Sequence, residues 1–121
     1  MNELITQDVI DNCEHKHACD QGLNWLRRKP RTYVDLRNKS LDWFRRLAQY
    51  STIPTVLEKL ATDSDADVRW NVAYNAHTPV VVLEKLATDS DADVRRNVAY
   101  NAHTPVVVLE KLATDSDADV R

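Results

Sequence analysis

The stretch "PVVVLEKLATDSDADVRRNVAYNAHT", residues 79–104, decides the fold of this chain. Nearly the same residues precede it at 53–78, and its first part, residues 79–95, recurs at 105–121. Units copied head to tail form stacks in which each copy contacts chiefly its neighbours. Such a stack presents a surface more readily than it builds a catalytic pocket. The repeats therefore favour a binding scaffold.

Composition predicts one all-α domain. The 121 residues are 43% hydrophobic and 29% charged, as in ordinary soluble domains. One glycine and four prolines argue against sandwiches, barrels and Gly-rich phosphate loops. Residues 1–12 lack the basic and apolar segments of a signal peptide, no apolar run is long enough for a membrane span, and two cysteines are too few for a disulfide framework. We expect a cytoplasmic protein that does not enter membranes.

Each repeat divides into two short helices. Asp65 is predicted to cap the first helix, residues 66–74, and Thr78 to cap the second, with Pro79 at its first position. Helices this short are marginal alone, so stacking has to bury their apolar stripes. We predict those stripes at Val68, Val72 and Ala73 in the first helix and at Leu83, Leu86 and Ala87 in the second.

Residues 1–52 are predicted to form an N-terminal helical capping region, and residues 53–121 the tandem repeats, of which the last is incomplete. Helices are expected around residues 4–10 and over 20–29, with a short segment at 32–36. A degenerate repeat begins at Ser40. Aligning Pro54 with Pro79 puts Trp43 at the position of Val68. The final copy keeps an interior-type sequence, which predicts either end-to-end homodimerisation or a shortened chain.

Residues 78–105, "TPVVVLEKLATDSDADVRRNVAYNAHTP", resemble the leucine-rich repeat variant (LRV) family and, more distantly, HEAT repeats. The matching elements are Thr-Pro, Leu-Glu-Lys-Leu-Ala, the Asp-rich turn, Val-Arg and Val-Ala-Tyr-Asn. The resemblance implies a right-handed superhelical solenoid of α and short 3₁₀ helices. It also implies an Asp/Arg ladder between repeats, which carries over to Asp65/Arg69, Asp91/Arg95 and Asp117/Arg121; an Asp and an Arg four residues apart share a helix face.

The segment "CEHKHAC", residues 13–19, offers four zinc-ligand side chains: Cys13, His15, His17 and Cys19. Their every-second-residue spacing needs a tight loop to surround one ion, and a polar bend is the alternative. Some LRV proteins carry a four-iron, four-sulfur domain, but such a cluster needs about four cysteines. The Asp-rich turn lacks the Gly and Glu of a calcium loop. We therefore expect no cofactor, with zinc and an iron–sulfur cluster kept as alternatives.

Basic residues concentrate in the N-terminal half. Residues 1–52 carry nine Lys/Arg against seven Asp/Glu, giving +2, whereas residues 53–121 carry seven against twelve, giving −5. A nucleic-acid-associated accessory protein is one alternative function, and a metal-binding N-terminal domain is another. The candidate phosphate contacts are Arg27, Arg28, Lys29 and Arg31, supported by Arg37, Lys39, Arg45 and Arg46.

A row of side chains on the first helix of each repeat is predicted to face away from the core. Aromatic residues and Arg, which this row contains, are enriched at the centres of protein interfaces. The alternative is that Tyr74 and Tyr100 pack over the neighbouring repeat and that Trp70 covers the junction with the N-terminal cap. No nucleophile–base pair stands apart from the repeats, so we expect a non-catalytic protein that binds another protein through this row: Asp67, Trp70, Asn71, Tyr74, Asp93, Arg96, Asn97 and Tyr100.

Overall fold

The computed structural model describes residues 3–15 and 20–121, with side chains described for 3–12 and 24–121. This part of the chain contains nine helices and no strand, apart from an isolated bridge between Leu4 and Thr32. The all-α prediction is confirmed. The helices are α1 (Gln7–His15), α2 (Asp20–Arg28), α3 (Tyr33–Lys39), α4 (Leu41–Tyr50), α5 (Pro54–Leu60), α6 (Ala66–Tyr74), α7 (Val80–Leu86), α8 (Ala92–Tyr100) and α9 (Val106–Leu112).

Side-chain caps start the first helix of each repeat, as predicted for Asp65. The Asp65 carboxylate accepts from the backbone N–H of Val68 at 3.0 Å, and Asp91 accepts from Val94 in α8. Ser40 caps α4 in the same way. These caps satisfy amide groups that a helix leaves without an intrahelical partner.

The second helix of each repeat begins differently from the prediction. The residue before α7 is Pro79 and not Thr78, and no side chain caps this helix. Thr78 is buried, and its hydroxyl donates instead to the Val72 carbonyl in α6. The hydroxyl thus closes the turn between the two helices of one repeat.

The first helices form one layer. Helix α6 packs against α4 on one side and α8 on the other, while α5, α7 and α9 pack beside them. This arrangement is compatible with a solenoid. The predicted core positions are buried except Ala87, which is half-buried; Val82 is buried beside Leu83 and Leu86.

The predicted register of the degenerate repeat is wrong by one residue. Phe44 is fully buried as Val68 is, whereas Trp43 is only half-buried. Three residues separate α4 from α5, whereas five separate α6 from α7. Because the first connection is two residues shorter, an alignment based on the prolines that follow these helices does not align the helices themselves.

Hydrogen bonds join the first residues of the chain to the segment before α3 and to the segment after α4. The Ile5 N–H donates to the Arg31 carbonyl at 2.7 Å, and the Thr52 N–H donates to Asn12 Oδ1 at 2.9 Å. Residues 33–39 form a full helix where only a short segment was predicted, because Thr32 and Asp35 make a capping box. Among the described residues, no helix is long and apolar enough to cross a membrane.

Candidate recognition surface

Arginines join successive repeats through bidentate ion pairs. Arg69 donates to both carboxylate oxygens of Asp89, through Nε at 2.8 Å and Nη2 at 3.2 Å. Arg95 binds Asp115 in the same manner, and Arg37 binds Asp63. The remaining Nη1 of Arg69 donates to the Asp63 carbonyl at 2.8 Å. Each interior arginine thus fixes its own Asp-rich turn against that of the next repeat.

The predicted ladder is therefore wrong in its acidic partner. Asp65 and Asp91 cap helices, and the ladder carboxylate lies two residues earlier in the turn, at Asp63, Asp89 and Asp115. Asp65 differs from Asp91, because it caps α6 and also accepts two hydrogen bonds from Arg45 in α4, at 3.3 and 3.1 Å. Arg121, in the proposed Asp117/Arg121 pair, donates to the Asp115 carbonyl.

The ion pairs shift the acidity of the groups involved. Hydrogen bonds from Arg95 lower the pKa of the Asp115 carboxyl below its ordinary value, and those from Arg45 do the same to the pKa of Asp65. The carboxylates in turn raise the pKa of Arg69 and Arg95 above the ordinary value. The ladder is therefore ionised at neutral pH.

A second ladder, made of buried asparagines, was missed by sequence reasoning. Asn75 follows α6, and its Nδ2 donates to the carbonyls of Ala48 at 2.9 Å and Ser51 at 2.8 Å. Asn101 repeats this arrangement on Ala73 and Asn75. These carbonyls end the preceding helix and lack intrahelical donors. The signal was present, since both repeats place an Asn directly after the helix-ending tyrosine.

An aromatic row crosses the layer of first helices; we use this name for Tyr50, Trp70, Tyr74 and Tyr100. Each tyrosine is the last residue of its helix, in α4, α6 and α8 respectively. Tyr74 is 59% exposed and Tyr100 75% exposed, whereas Tyr50 is half-buried. The Trp70 and Tyr74 rings stack with centroids 5.7 Å apart and planes 5° apart. Tyr50 was not among the predicted row residues.

The polar members of the predicted row separate into two groups. Asp67 is exposed and lies 3.3 Å from Arg45 Nη2, and Asp93 is exposed and lies 2.9 Å from Arg96 Nη2. Asn97, predicted to be exposed, is buried instead at 6% exposure, and its Nδ2 donates to the Trp70 carbonyl. Asn71 is half-buried and donates to the Asp67 carbonyl. Both asparagines therefore bond to the backbone of α6. The aromatic row and the charged residues beside it remain as the candidate surface.

Three of the predicted basic side chains make contacts within the protein. Arg37 and Arg45 are engaged with Asp63 and Asp65, and the Arg31 guanidinium lies 4.0 Å from the centre of the Trp25 ring. Among the described residues, none accepts a hydrogen bond from the buried Arg31 Nε. Exposed basic side chains remain at Arg27, Arg28, Lys29, Lys39 and Arg46. The nucleic-acid alternative stays a prediction.

The candidate metal site is outside the described side chains. Cys13 and His15 lie on the last turns of α1, and His17 and Cys19 fall outside the described residues altogether. Elsewhere in the described part of the chain, no three His, Cys, Asp or Glu side chains are grouped to hold a metal ion. His77 and His103 are exposed turn residues whose backbone N–H groups donate to Asn75 and Asn101.

A second repeated surface lies between successive short helices. Grooves of about 280 and 380 Å³ separate α5 from α7 and α7 from α9. Exposed Val81 and Val107 line them together with Lys85 and Lys111. Among the described residues this surface carries no aromatic ring.

The stacked helix pairs and their ladders define an all-α tandem-repeat protein. Residues 92–117, from the start of α8 through α9, match the family model named leucine rich repeat variant. This match confirms the LRV resemblance, and the helical architecture fits a HEAT-like repeat protein. LRV repeats are generally protein-interaction repeats. No curated protein and no solved structure shows significant similarity to the chain.

Proposed function

We propose that this chain is a non-catalytic cytoplasmic scaffold that binds another protein through the aromatic row. The observation that carries this proposal is the exposure of Tyr74 and Tyr100 at equivalent ends of two packed helices. Tyrosine and tryptophan rings bury large areas at a small entropy cost, and both types are enriched at binding hot spots. Exposed rings held on helices meet those requirements.

Two contacts support a preformed surface. Trp70 stacks on Tyr74, so the two rings restrain each other. The Asn97 bond to the Trp70 carbonyl fixes the backbone of α6 against α8 beneath that pair. A surface that is ordered before binding loses less entropy when a partner docks.

The grooves lined by Val81 and Val107 are less suitable for binding a protein than the aromatic row is. Their exposed positions combine Val with Lys and Glu, and Lys and Glu are depleted at interface cores. The aromatic row contains Trp and Tyr, and Arg96 lies beside it; interface cores favour all three residue types. Residue composition therefore favours the aromatic row over the grooves as the protein-binding surface.

The arrangement of the whole chain belongs to the same proposal. Residues 1–52 cap one end of the stack, and the helix pairs wind in a right-handed superhelix. The LRV match supports the winding, and the bonds that join Ile5 to Arg31 and Asn12 to Thr52 support the cap. The predicted end-to-end homodimer stays a prediction; Val106 and Leu109 on α9 are exposed.

The test is affinity capture from the native host with three forms of the protein. These are the wild type, the triple variant Trp70→Ala/Tyr74→Ala/Tyr100→Ala, and a control variant Val81→Thr/Val107→Thr, which alters the exposed valines of the two grooves. A captured protein is then purified, and its dissociation constant is measured for each form. We expect the triple variant to bind at least about tenfold more weakly.

The control variant should bind as the wild type does. Circular dichroism and urea unfolding establish that all three forms are folded. Equal affinity of the folded triple variant and the wild type would overturn the proposal, because the aromatic row would then be a packing feature. Loss of binding in the valine variant alone would move the site to the grooves.

A further inference from the structure

The spacing of the three tyrosines is set by helix packing. Tyr50, Tyr74 and Tyr100 occupy the same final position on α4, α6 and α8, which pack side by side. Packed helices lie about 8–10 Å apart, so equivalent side chains recur at that interval. A ligand that crosses the helix layer therefore meets one tyrosine at each step of this length.

One extended peptide conformation has the same period. A polyproline II helix completes a turn every three residues, with a rise of about 3.1 Å per residue, so one turn advances about 9 Å. Successive turns of such a segment can present the same face to successive tyrosines. An extended β-strand repeats its side chains every two residues, about 6.6 Å, and loses register with the row after one helix.

The hydrogen-bonding groups of the row are complementary to proline. Proline residues have no backbone N–H, so a proline-rich segment offers carbonyl acceptors and apolar rings. Tyrosine hydroxyls and the Trp70 indole N–H can donate to such carbonyls. The stacked Trp70 and Tyr74 rings provide an apolar surface on which a proline ring can lie.

The charges next to the row are balanced. Arg45 lies within 3.3 Å of the Asp67 carboxylate, and Arg96 lies 2.9 Å from that of Asp93. A strongly acidic or basic segment therefore meets charges that are already paired. An uncharged segment leaves both ion pairs intact, so the charge pattern favours it.

From the spacing, the donors and the balanced charge, we propose that the aromatic row binds a proline-rich segment in the polyproline II conformation, with one ligand turn for each repeat. This inference rests on the proposed function and names the class of segment that the partner protein supplies. Trp70 and Arg96 occupy the same position of two otherwise matching copies. The ligand turn that lies over α6 therefore contacts Trp70 and Tyr74, and the ligand turn over α8 contacts Tyr100 beside Arg96.

The test is calorimetric titration of the full chain with a blocked nonaproline peptide, and with a Gly/Ser peptide of equal length as control. We expect saturable nonaproline binding with a dissociation constant of about 10–100 μM, and no binding of the flexible peptide. Tyr100→Ala should weaken binding about tenfold. Tyr100→Phe keeps the ring and removes the donor, so it should weaken binding by roughly threefold.

Val107→Thr, in the groove between α7 and α9, serves as the matched control and should leave nonaproline affinity unchanged. Absence of nonaproline binding at about 1 mM, equal binding of the Gly/Ser peptide, or unchanged affinity of the folded Tyr100→Ala variant would each overturn the inference. Should a captured partner depend on the row while nonaproline fails to bind, this inference falls and the proposed function stands. Should the captured partner ignore the row, the proposed function falls as well.

Discussion

Helices α7 and α9 have the same sequence, "VVVLEKL", in different surroundings. Both are seven residues long and both end with the same backbone bonds at the C-cap alanine. Yet Leu83 in α7 is fully buried, whereas Leu109 in α9 is 37% exposed. Local sequence therefore sets the helix, and the presence of a following repeat sets how much of that helix is buried.

The same contrast extends to the polar ladders. The Arg69 guanidinium contacts its own turn and the carboxylate of the next one, whereas the Arg121 guanidinium donates to the Asp115 carbonyl of its own turn. One residue type at one repeat position thus makes different contacts in different copies. In a repeat stack, the interface between neighbours carries much of the stability.

The largest expected effect comes from shortening the two leucines. Leu83→Ala should lower the free energy of unfolding by about 3 kcal/mol, because it leaves a cavity between repeats. Leu109→Ala should cost about 1 kcal/mol, because part of that side chain already contacts water. Urea unfolding measures both. Equal losses would contradict the idea that the following repeat sets burial.

The next effect concerns the asparagine ladder. Asn75→Ala leaves the Ala48 and Ser51 carbonyls without their donor in a buried site, so unfolding should become easier by about 2 kcal/mol. Asn71→Ala is the matched control, because that amide bonds only within its own helix. We expect a change of about 0.5 kcal/mol or less for the control. A comparable loss in both variants, measured by urea unfolding, would show that the inter-repeat bonds are not the cause.

The arginine ladder should give a smaller change. Arg69→Gln removes a bidentate contact to Asp89 and should cost about 1.5 kcal/mol. Arg121→Gln removes one exposed bond and should cost about 0.5 kcal/mol or less. Thermal unfolding of the two variants compares them directly. A larger loss for Arg121→Gln would contradict the assignment of the ladder to interior arginines.

Acid should weaken the ladder in a defined pH range. Arg95 and Arg45 lower the pKa values of Asp115 and Asp65, so the unfolded chain binds more protons than the folded one near pH 4 and below. This stabilisation is present above pH ~4 and is lost as the pH falls through the lowered pKa values. Urea midpoints measured from pH 6 to pH 3 should therefore decrease. Asp115→Asn should reduce the acid-dependent part of that decrease.

Much of the fold follows from periodicity. Repeated apolar positions predict the all-α class and most of the buried residues, because burial at every third or fourth residue requires a helix. Periodicity does not tell which carboxylate of "DSDAD" caps the helix and which faces the next repeat. Both are Asp at neighbouring positions, and only the path of the turn separates Asp89 from Asp91.

The candidate surface was predicted in part. Trp70, Tyr74 and Tyr100 follow from the helical face opposite the core stripe. The burial of Asn97 does not follow from that face, because a small amide at its edge can enter the space between two helices and bond to the neighbouring backbone. Tyr50 was missed because the prolines misaligned the degenerate copy, and the helix-ending position is recognised only when the helices are seen to end together.

The central claim is that the exposed tyrosines are available for recognition while the buried asparagines beside them hold the stack together. Tyr100 and Asn101 are adjacent, so urea unfolding of Tyr100→Ala against Asn101→Ala tests it most directly. We expect Tyr100→Ala to change the free energy of unfolding by about 0.5 kcal/mol or less, and Asn101→Ala to lower it by about 2 kcal/mol. A loss for Tyr100→Ala as large as that for Asn101→Ala would contradict the account, because the tyrosine would then be a structural residue.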